Sequence, residues 1–362
     1  MKKKYILLIF IVTLNLAFGV DYTTELYLNS MYTEKINLGS SVGGKVILDY
    51  SEIENMQLQM ECNLKDEKFK LDLAKVKFMM GQIDLEVGKN RIGWGTGYNF
   101  NPTDIFNQKP VGASFDPAFV KKGRNSIIMT NYLNETTNIQ VVYGFKNNET
   151  EVSEYGEKNI AKKEDYGIRI KKIIGDYDVS ISAIEKGTEN ITLSGFGIKN
   201  KSDKILGADI SGSLPILDWG IWSEIAYSKN KESIKWITGI DSYFAEDYYI
   251  NVEYYYNGNG DSKKENYINN DDLYLGNPVS KNYLTPSLKY SVNTKLEITG
   301  YSFLNMDDKS LILGGLGTYL LNDFVEIDIM PFLLIGDDDT EYGIQKKEIG
   351  DYGMNLNMKI VF

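Results

Sequence analysis

The chain of 362 residues contains no histidine and a single cysteine, Cys62. Without histidine there is no Ser-His-Asp or Cys-His nucleophile, no His-ligated zinc and no imidazole general base. One cysteine allows neither an internal disulfide nor a cysteine-cluster metal site. Basic charge is also short: Lys and Arg number 39 against 50 acidic residues, for a formal charge of −11. So acidic a chain lacks the basic stripe that a nucleic-acid partner requires. Arginine is the rarest cation, present only at Arg91, Arg124 and Arg169. After the first 20 residues no continuous apolar run is long enough for a membrane-crossing helix, which needs about 20 residues. These gaps give no reason to expect a catalytic residue, a resident metal or a cofactor.

What is present begins with an address. Lys2, Lys3 and Lys4 precede a mostly apolar run from Tyr5 to Phe18, and Ala17 and Gly19 place small residues where a signal peptidase reads. This is the pattern of a cleaved secretory leader over residues 1–19, leaving 20–362 as the working protein. Loss of the three lysines takes the formal charge from −11 to −14.

From there on, helical periodicity is hard to find and period-two alternation recurs. Met56, Leu58, Met60, Cys62 and Leu64 take one phase, and Gln57, Gln59, Glu61 and Asn63 the other. Ile83, Leu85 and Val87 oppose Asp84 and Glu86 in the same way, and Val325, Ile327 and Ile329 oppose Glu326 and Asp328. Turn formers such as Gly81-Gln82, Gly175-Asp176 and Asn322-Asp323 separate the runs. One apolar and one polar face fit a soluble antiparallel sheet or a membrane barrel. The last run favours the barrel. Tyr352, Met354, Leu356, Met358, Ile360 and Phe362 share one phase, and an open sheet ending on so apolar a strand would aggregate. A closed barrel pairs both of its edges and turns that face to lipid. A final strand with Tyr352 and a terminal Phe362 also resembles the signal by which barrel-assembly machinery recognises bacterial outer-membrane proteins.

Alternating runs can be marked in nineteen places, the tenth of them near 190–198. Single-chain bacterial barrels have even strand numbers, with short turns at one end and long loops at the other. That rule fails somewhere between 165 and 257. The expectation is therefore an all-β, single transmembrane antiparallel barrel of 18 strands, with 16 as the fallback. Residues 147–163, 257–281 and 335–350 read as mobile surface loops. A barrel of this size leaves an aqueous channel. Its inward phase would carry Glu61, Asp84, Glu86, Asp178, Asp209, Glu253, Glu297, Glu326 and Asp328, against fewer cations such as Lys146, Lys235 and Lys359. Such a wall either favours cations or simply solvates the lumen and pairs with lysines. Cys62 falls on the lipid-facing phase.

One block departs from the alternation: Gly88-Lys89-Asn90-Arg91-Ile92-Gly93-Trp94-Gly95, then Asn101-Pro102-Thr103-Asp104-Ile105-Phe106. It opens the longest unpatterned stretch, 91–123. The block resembles one in porin-like outer-membrane barrels of largely unknown function, roughly Gly-Arg-Gln-Arg-x-x-Trp-Gly followed by Asn-Pro-x-Asp and a hydrophobic pair. Lys89 and Asn90 stand where that pattern has Arg and Gln. The resemblance implies the barrel fold and the outer membrane and no particular substrate.

Physically, an arginine at 91, where lysine is this chain's usual cation, points to a need for the planar fork. Asp104 follows the turn starter Asn101-Pro102. Arg91 and Asp104 are expected to tie the 91–123 loop to the inner wall as a constriction, with Arg124 a second clamp at its far end. Unbroken continuation of the 83–87 strand would point Arg91 at lipid, so a bulge or strand end near Gly88 is required. The competing reading is an aromatic-belt turn without a pore role. Gly93-x-Gly95-x-Gly97 lacks the strand–helix context of a nucleotide site.

The sequence therefore points to a pore for small hydrophilic solutes, with outer-membrane lipid and the assembly machinery as its other partners. A surface adhesin or structural protein acting through its loops is the alternative, and an enzyme is not expected. Nothing in the sequence marks an oligomer face.

Overall fold

The computed structural model describes residues 21–35, 40–51, 53–65, 68–107, 123–153, 156–193, 196–215, 218–274 and 277–361. The expected leader, 1–19, and Phe362 lie outside the described residues. The wall begins with β1 (Asp21–Thr33), β2 (Ser40–Tyr50), β3 (Met56–Lys65), β4 (Lys68–Met80), β5 (Ile83–Asn90), β6 (Arg124–Asn134) and β7 (Thr137–Gly144). The hairpin β8 (Asn147–Ser153) and β9 (Gly156–Lys162) then leaves it, before β10 (Asp165–Ile174) and β11 (Tyr177–Lys186) rejoin. A second hairpin, β12 (Glu189–Leu193) and β13 (Phe196–Asn200), follows the same route. The wall resumes with β14 (Asp203–Leu214), β15 (Trp219–Ser228), β16 (Ser233–Phe244), β17 (Tyr248–Asn257) and β18 (Asn282–Asn293). It is completed by β19 (Leu296–Asn305), β20 (Leu311–Asn322), β21 (Val325–Ile335) and β22 (Tyr352–Val361).

Each wall strand pairs antiparallel with the next, and β22 returns to β1 from Glu25↔Val361 to Thr33↔Gly353. The result is a closed barrel of 18 strands. Closure leaves no unpaired edge, as a sheet in hydrocarbon requires. Strand lengths of 8 to 13 residues bracket the roughly 9–11 needed to span a bilayer at a tilt.

The run at 190–198 is the one that does not belong to the wall. Its alternation is real, but it is split between β12 and β13, and β12 pairs with β9 to make a separate four-stranded sheet in the order β13-β12-β9-β8. With that run removed, short turns fall consistently at one end, where β1 starts and β22 finishes. The same sheet corrects the reading of 147–163 as an unstructured loop. Its sequence, Asn-Asn-Glu-Thr-Glu-Val-Ser, has no apolar face to betray a strand, and backbone pairing alone extends it. In 335–350, likewise, Glu341–Ile349 is a helix, N-capped by Thr340, whose side chain accepts from the Gly343 amide. Residues 257–281 contain short helical turns at Lys264–Asn269 and Asp271–Tyr274.

The pleat sorts the side chains. Leu26, Leu28, Ile168, Ile170, Ile181, Leu206, Ile225, Ile240, Ile250, Leu288, Leu313 and Leu356 all lie exposed on the outside. In water this would be an unacceptable apolar surface, whereas in a bilayer it is the solvated face. Aromatic rings mark its borders. Phe244, Tyr248 and Tyr290 stack in a row at the short-turn end, and Trp236 packs on Tyr254 toward the other. Phe244 and Trp236 are eight residues apart on one strand, about 26 Å of strand before tilt, in line with an apolar band about 25 Å tall.

Candidate functional site: the lumen and its inserted loop

Inside the barrel, neighbouring strands bring opposite charges together. Lys45 lies 3.6 Å from Glu25 and 3.5 Å from Glu61, Lys75 lies 2.8 Å from Glu86 and Lys77 2.6 Å from Asp84. Arg169 grips Asp209 at 2.9 and 3.2 Å. Lys171–Asp178, Lys289–Glu297 and Lys359–Glu326 continue the series. Asp328 accepts from Thr318 at 2.8 Å. Each of the acids that the sequence assigns to the inward phase has a partner. The cations missing from the sequence reading are Lys45, Lys75, Lys77, Arg169, Lys171 and Lys289. Finding them needed the strand register, because a lysine gains a partner only from the strand alongside. Of the inward cations expected, Lys146 lies beyond the end of β7 and is exposed.

The segment 91–107 enters this lumen. β5 ends at Asn90, buried and bonded through its amide to Ser126, and that strand end frees Arg91 from the lipid-facing phase. Arg91 then forks onto both oxygens of Glu61 at 2.8 and 2.5 Å. Beyond it the chain crosses the inside of the wall. Trp94 and Phe106 meet edge to face at 5.0 Å and are buried with Ile92, Ile128, Val142, Ile184, Ile205 and Ala226. An apolar core is thus built between the segment and the inside of β6, β7, β11, β14 and β15. A side chain at Gly167 would put its Cβ 2.5 Å from the Phe106 ring and 2.8 Å from the Trp94 ring, so the wall is bare there to admit them.

Two wall carboxylates hold the tip by its backbone. Glu224, 1% exposed, accepts from the Thr96 amide at 2.9 Å and from the Thr103 amide. Glu253, fully buried, accepts from the amides of Tyr98, Asn99 and Phe100 at 2.8, 3.0 and 3.0 Å and from the Trp222 indole at 2.8 Å. Gly95 makes the approach possible: its φ of +94° suits glycine, and a Cβ there would sit 2.4 Å from a Glu224 oxygen. Phe100 then stacks on Tyr255 at 4.3 Å.

Asp104 is buried and accepts from Asn107 at 2.6 Å, and Asn107 also brackets Ile92, its amide oxygen accepting from the Ile92 N–H and its amide nitrogen donating to the Ile92 carbonyl. Arg124, at the start of β6, is buried 3.0 Å from Asp165 at the start of β10, which also takes Lys162 at 3.2 Å and the Gly187 amide at 2.8 Å. Residues 108–122 lie outside the described residues. The anchors the sequence did not reveal are Glu224 and the clamping role of Glu253. Their partners are amides more than 120 residues away, and an amide leaves no mark in a sequence.

The outer mouth is roofed by the helix Glu341–Ile349. Tyr342 and Ile349 pack on Ile312, Phe332 and Leu334 of the wall, and Lys35 donates to the Lys346 and Lys347 carbonyls at the helix end. Tyr267, Leu273 and Val279 form a second cluster against Ile344. At the junction Glu341 accepts from Tyr283 at 2.7 Å and Asn305 at 2.8 Å. Burial is the main cause that pushes its carboxyl up to about 7.

No protein-family model matches the chain, and no curated protein matches its sequence. Solved structures do match. Wzi of Escherichia coli, an outer-membrane protein involved in group 1 capsule assembly and described as a carbohydrate-binding β-barrel, aligns over 99% of this chain and 88% of its own, with a TM-score of 0.58 and 12% identity. OprD of Pseudomonas aeruginosa aligns over 94% and 93%, at 0.57 and 9%. OpdQ of the same organism aligns over 95% and 97%, at 0.58 and 10%. At such identities the likeness is one of fold: the chain shares the closed antiparallel β-barrel of these porin-like outer-membrane proteins.

Proposed function

We propose that the protein is an outer-membrane channel for passive passage of small hydrophilic solutes, narrowed by its own inserted loop. The observation that carries this reading is the division of the lumen. Part of it is filled by the loop and its apolar core. Elsewhere the wall carries ion pairs whose side chains stay accessible, such as Lys75 and Glu86 at 22% and 18% exposure and Lys359 and Glu326 at 31% and 29%. Because the acids are matched by cations, weak selectivity is favoured over the strong cation preference that the net charge suggests. Arg91 on Glu61 ties the root of the loop to the wall, with Asp104 bracing the loop and Arg124 holding its far end. Reconstitution into planar bilayers tests the proposal: stepwise currents with a cation-to-anion permeability ratio within a few-fold of unity are expected. Absence of current would defeat it.

One observation favours a second reading, a surface protein that works through its loops. The sheet β13-β12-β9-β8 is built outside the wall, where a channel has no need of it. The leader and the final-strand signal fit export and assembly by the barrel machinery.

A further inference from the structure

The insert between β21 and β22 covers the outer mouth from within. Tyr342 and Ile349 of the helix Glu341–Ile349 pack on Ile312, Phe332 and Leu334, with Met31 and Phe303 beside them. All five of these wall residues belong to the inward phase of their strands, so the helix sits inside the rim. Its Ile344 meets Tyr267, Leu273 and Val279 of the 257–281 loop. Gly336 and Gly350 join the helix to the wall, and Gly350 holds a φ of +94° that suits glycine. The covering piece is thus one helix between two glycine joints, with a loop leaning on it.

One carboxyl ties these pieces together. Glu341, 3% exposed, accepts from Tyr283 of β18 at 2.7 Å, from Asn305 of β19 at 2.8 Å and from the Val279 amide of the loop at 3.4 Å. Its own N–H donates to Asp308, in the turn between β19 and β20, at 2.7 Å. We propose that the helix and the 257–281 loop form a lid on the channel, latched through Glu341, which is shut while that carboxyl holds its proton and released when the proton leaves. The charged and titratable groups facing Glu341 are Asp308, Tyr283, Tyr342 and Tyr267. No cation is among them. Loss of the proton therefore leaves a buried anion beside a second carboxylate, with no counter-ion.

The opposing effects can be weighed. Burial, the largest, and the charge of Asp308 disfavour the anion, while the donors Tyr283, Val279 and Asn305 favour it. Burial prevails, and the carboxyl is pushed up to about 7 from an ordinary 4.5. The lid is therefore held fully below the ordinary value, and the hold is lost as pH rises through about 7. From pH 5 to pH 8 the shut-to-released ratio should fall about fiftyfold or more. Swinging on Gly336 and Gly350 would return the anion to water while the 18-stranded wall stays closed. The inference rests on the channel reading only for what the lid covers.

The test records the full chain in planar bilayers with both chambers taken from pH 5 to pH 8. The odds of the open state should rise about fiftyfold or more. Glu341→Gln, neutral at every pH and of the same size, should stay shut throughout. Tyr342→Ala, which removes the packing and keeps the carboxyl, should be open at both ends of the range. Amide exchange over Tyr342–Ile349 gives a readout free of current. Protection, corrected for the intrinsic pH dependence of exchange, should fall by the same factor in the native chain and hold in Glu341→Gln. Open odds that stay level, rise toward acid, or move equally in Glu341→Gln would overturn the proposal, as would helix protection unchanged across the range. A Tyr342→Ala channel as shut as the native one at pH 5 would show that the helix is not the lid. Absence of current with helix protection lost at pH 8 would sink the channel and leave the latch standing, and a level current with constant protection would do the reverse.

Discussion

Replacing Glu253 by alanine should release the loop tip from the wall. The carboxylate accepts four donors, three of them consecutive loop amides. In the variant those amides either stay docked without partners or swing out to water. A buried amide without a partner costs about 1–3 kcal/mol, and the terms are not additive because the three belong to one turn. Stacking of Phe100 on Tyr255 and the two amide bonds to Glu224 remain to hold the segment. A net loss of about 3–5 kcal/mol in docking is reasonable for a breached buried network. That corresponds to a shift of about a hundredfold to several thousandfold in the docked-to-released ratio. Amide hydrogen exchange in detergent reads it directly. Protection at Tyr98, Asn99 and Phe100 should fall by about two orders of magnitude or more, while that of β21, four strands round the wall from Glu253, stays unchanged. Glu253→Gln keeps one of the two oxygens and should lie between. Single-channel conductance should rise in step. Undiminished protection of the three amides in Glu253→Ala would refute the clamp, whatever the conductance does.

Arg91→Ala leaves Glu61 with Lys45 alone; conductance should rise modestly and permeability should move toward cations, and an unchanged pair of values would remove Arg91 from the constriction. Gly167→Val drives a side chain into the Trp94–Phe106 contact, with an overpacking cost of about 1–3 kcal/mol; the tryptophan emission should shift to the red, and an unshifted spectrum would show that the core tolerates the methyls. Glu341 gives the roof a pH dependence. Its folded carboxyl titrates at about 7, against an ordinary value of 4.5. The stabilisation it gives to the roof is complete below the ordinary value and is lost as pH rises to about 7, about 3 kcal/mol in all. Proteolysis at Lys346 and Lys347 should therefore be faster at pH 8 than at pH 5. Glu341→Gln should flatten the difference, and a difference that persists in that variant would acquit Glu341.

Alternation made the barrel legible because each wall strand has a wet and a greasy face, and Met56 to Leu64 states this in nine residues. It misled at 190–198, where the same alternation serves a sheet outside the wall, since a pattern records two faces and not what lies against them. The block around Arg91 was legible as an anomaly, and its arginine was legible as a fork. Its destination was not. Glu61 is thirty residues upstream, brought near by the two turns that join β3 to β4 and β4 to β5. Which cations match the inward acids was not legible for a related reason. Glu326 faces Lys359 directly across β21 and β22, but a count of inward acids carries no register. Glu224 was invisible altogether, as one acid among many on an ordinary strand.

The clamp on the loop tip grips main chain, not side chains, and this has an evolutionary consequence. Thr96, Tyr98, Asn99, Phe100 and Thr103 are held by amides that nearly any residue would offer. Their side chains can be exchanged without dissolving the attachment, provided Gly95 and Gly97 keep the path open. The surface that the loop tip presents to the lumen can therefore change in shape and chemistry while the framework around it stays fixed.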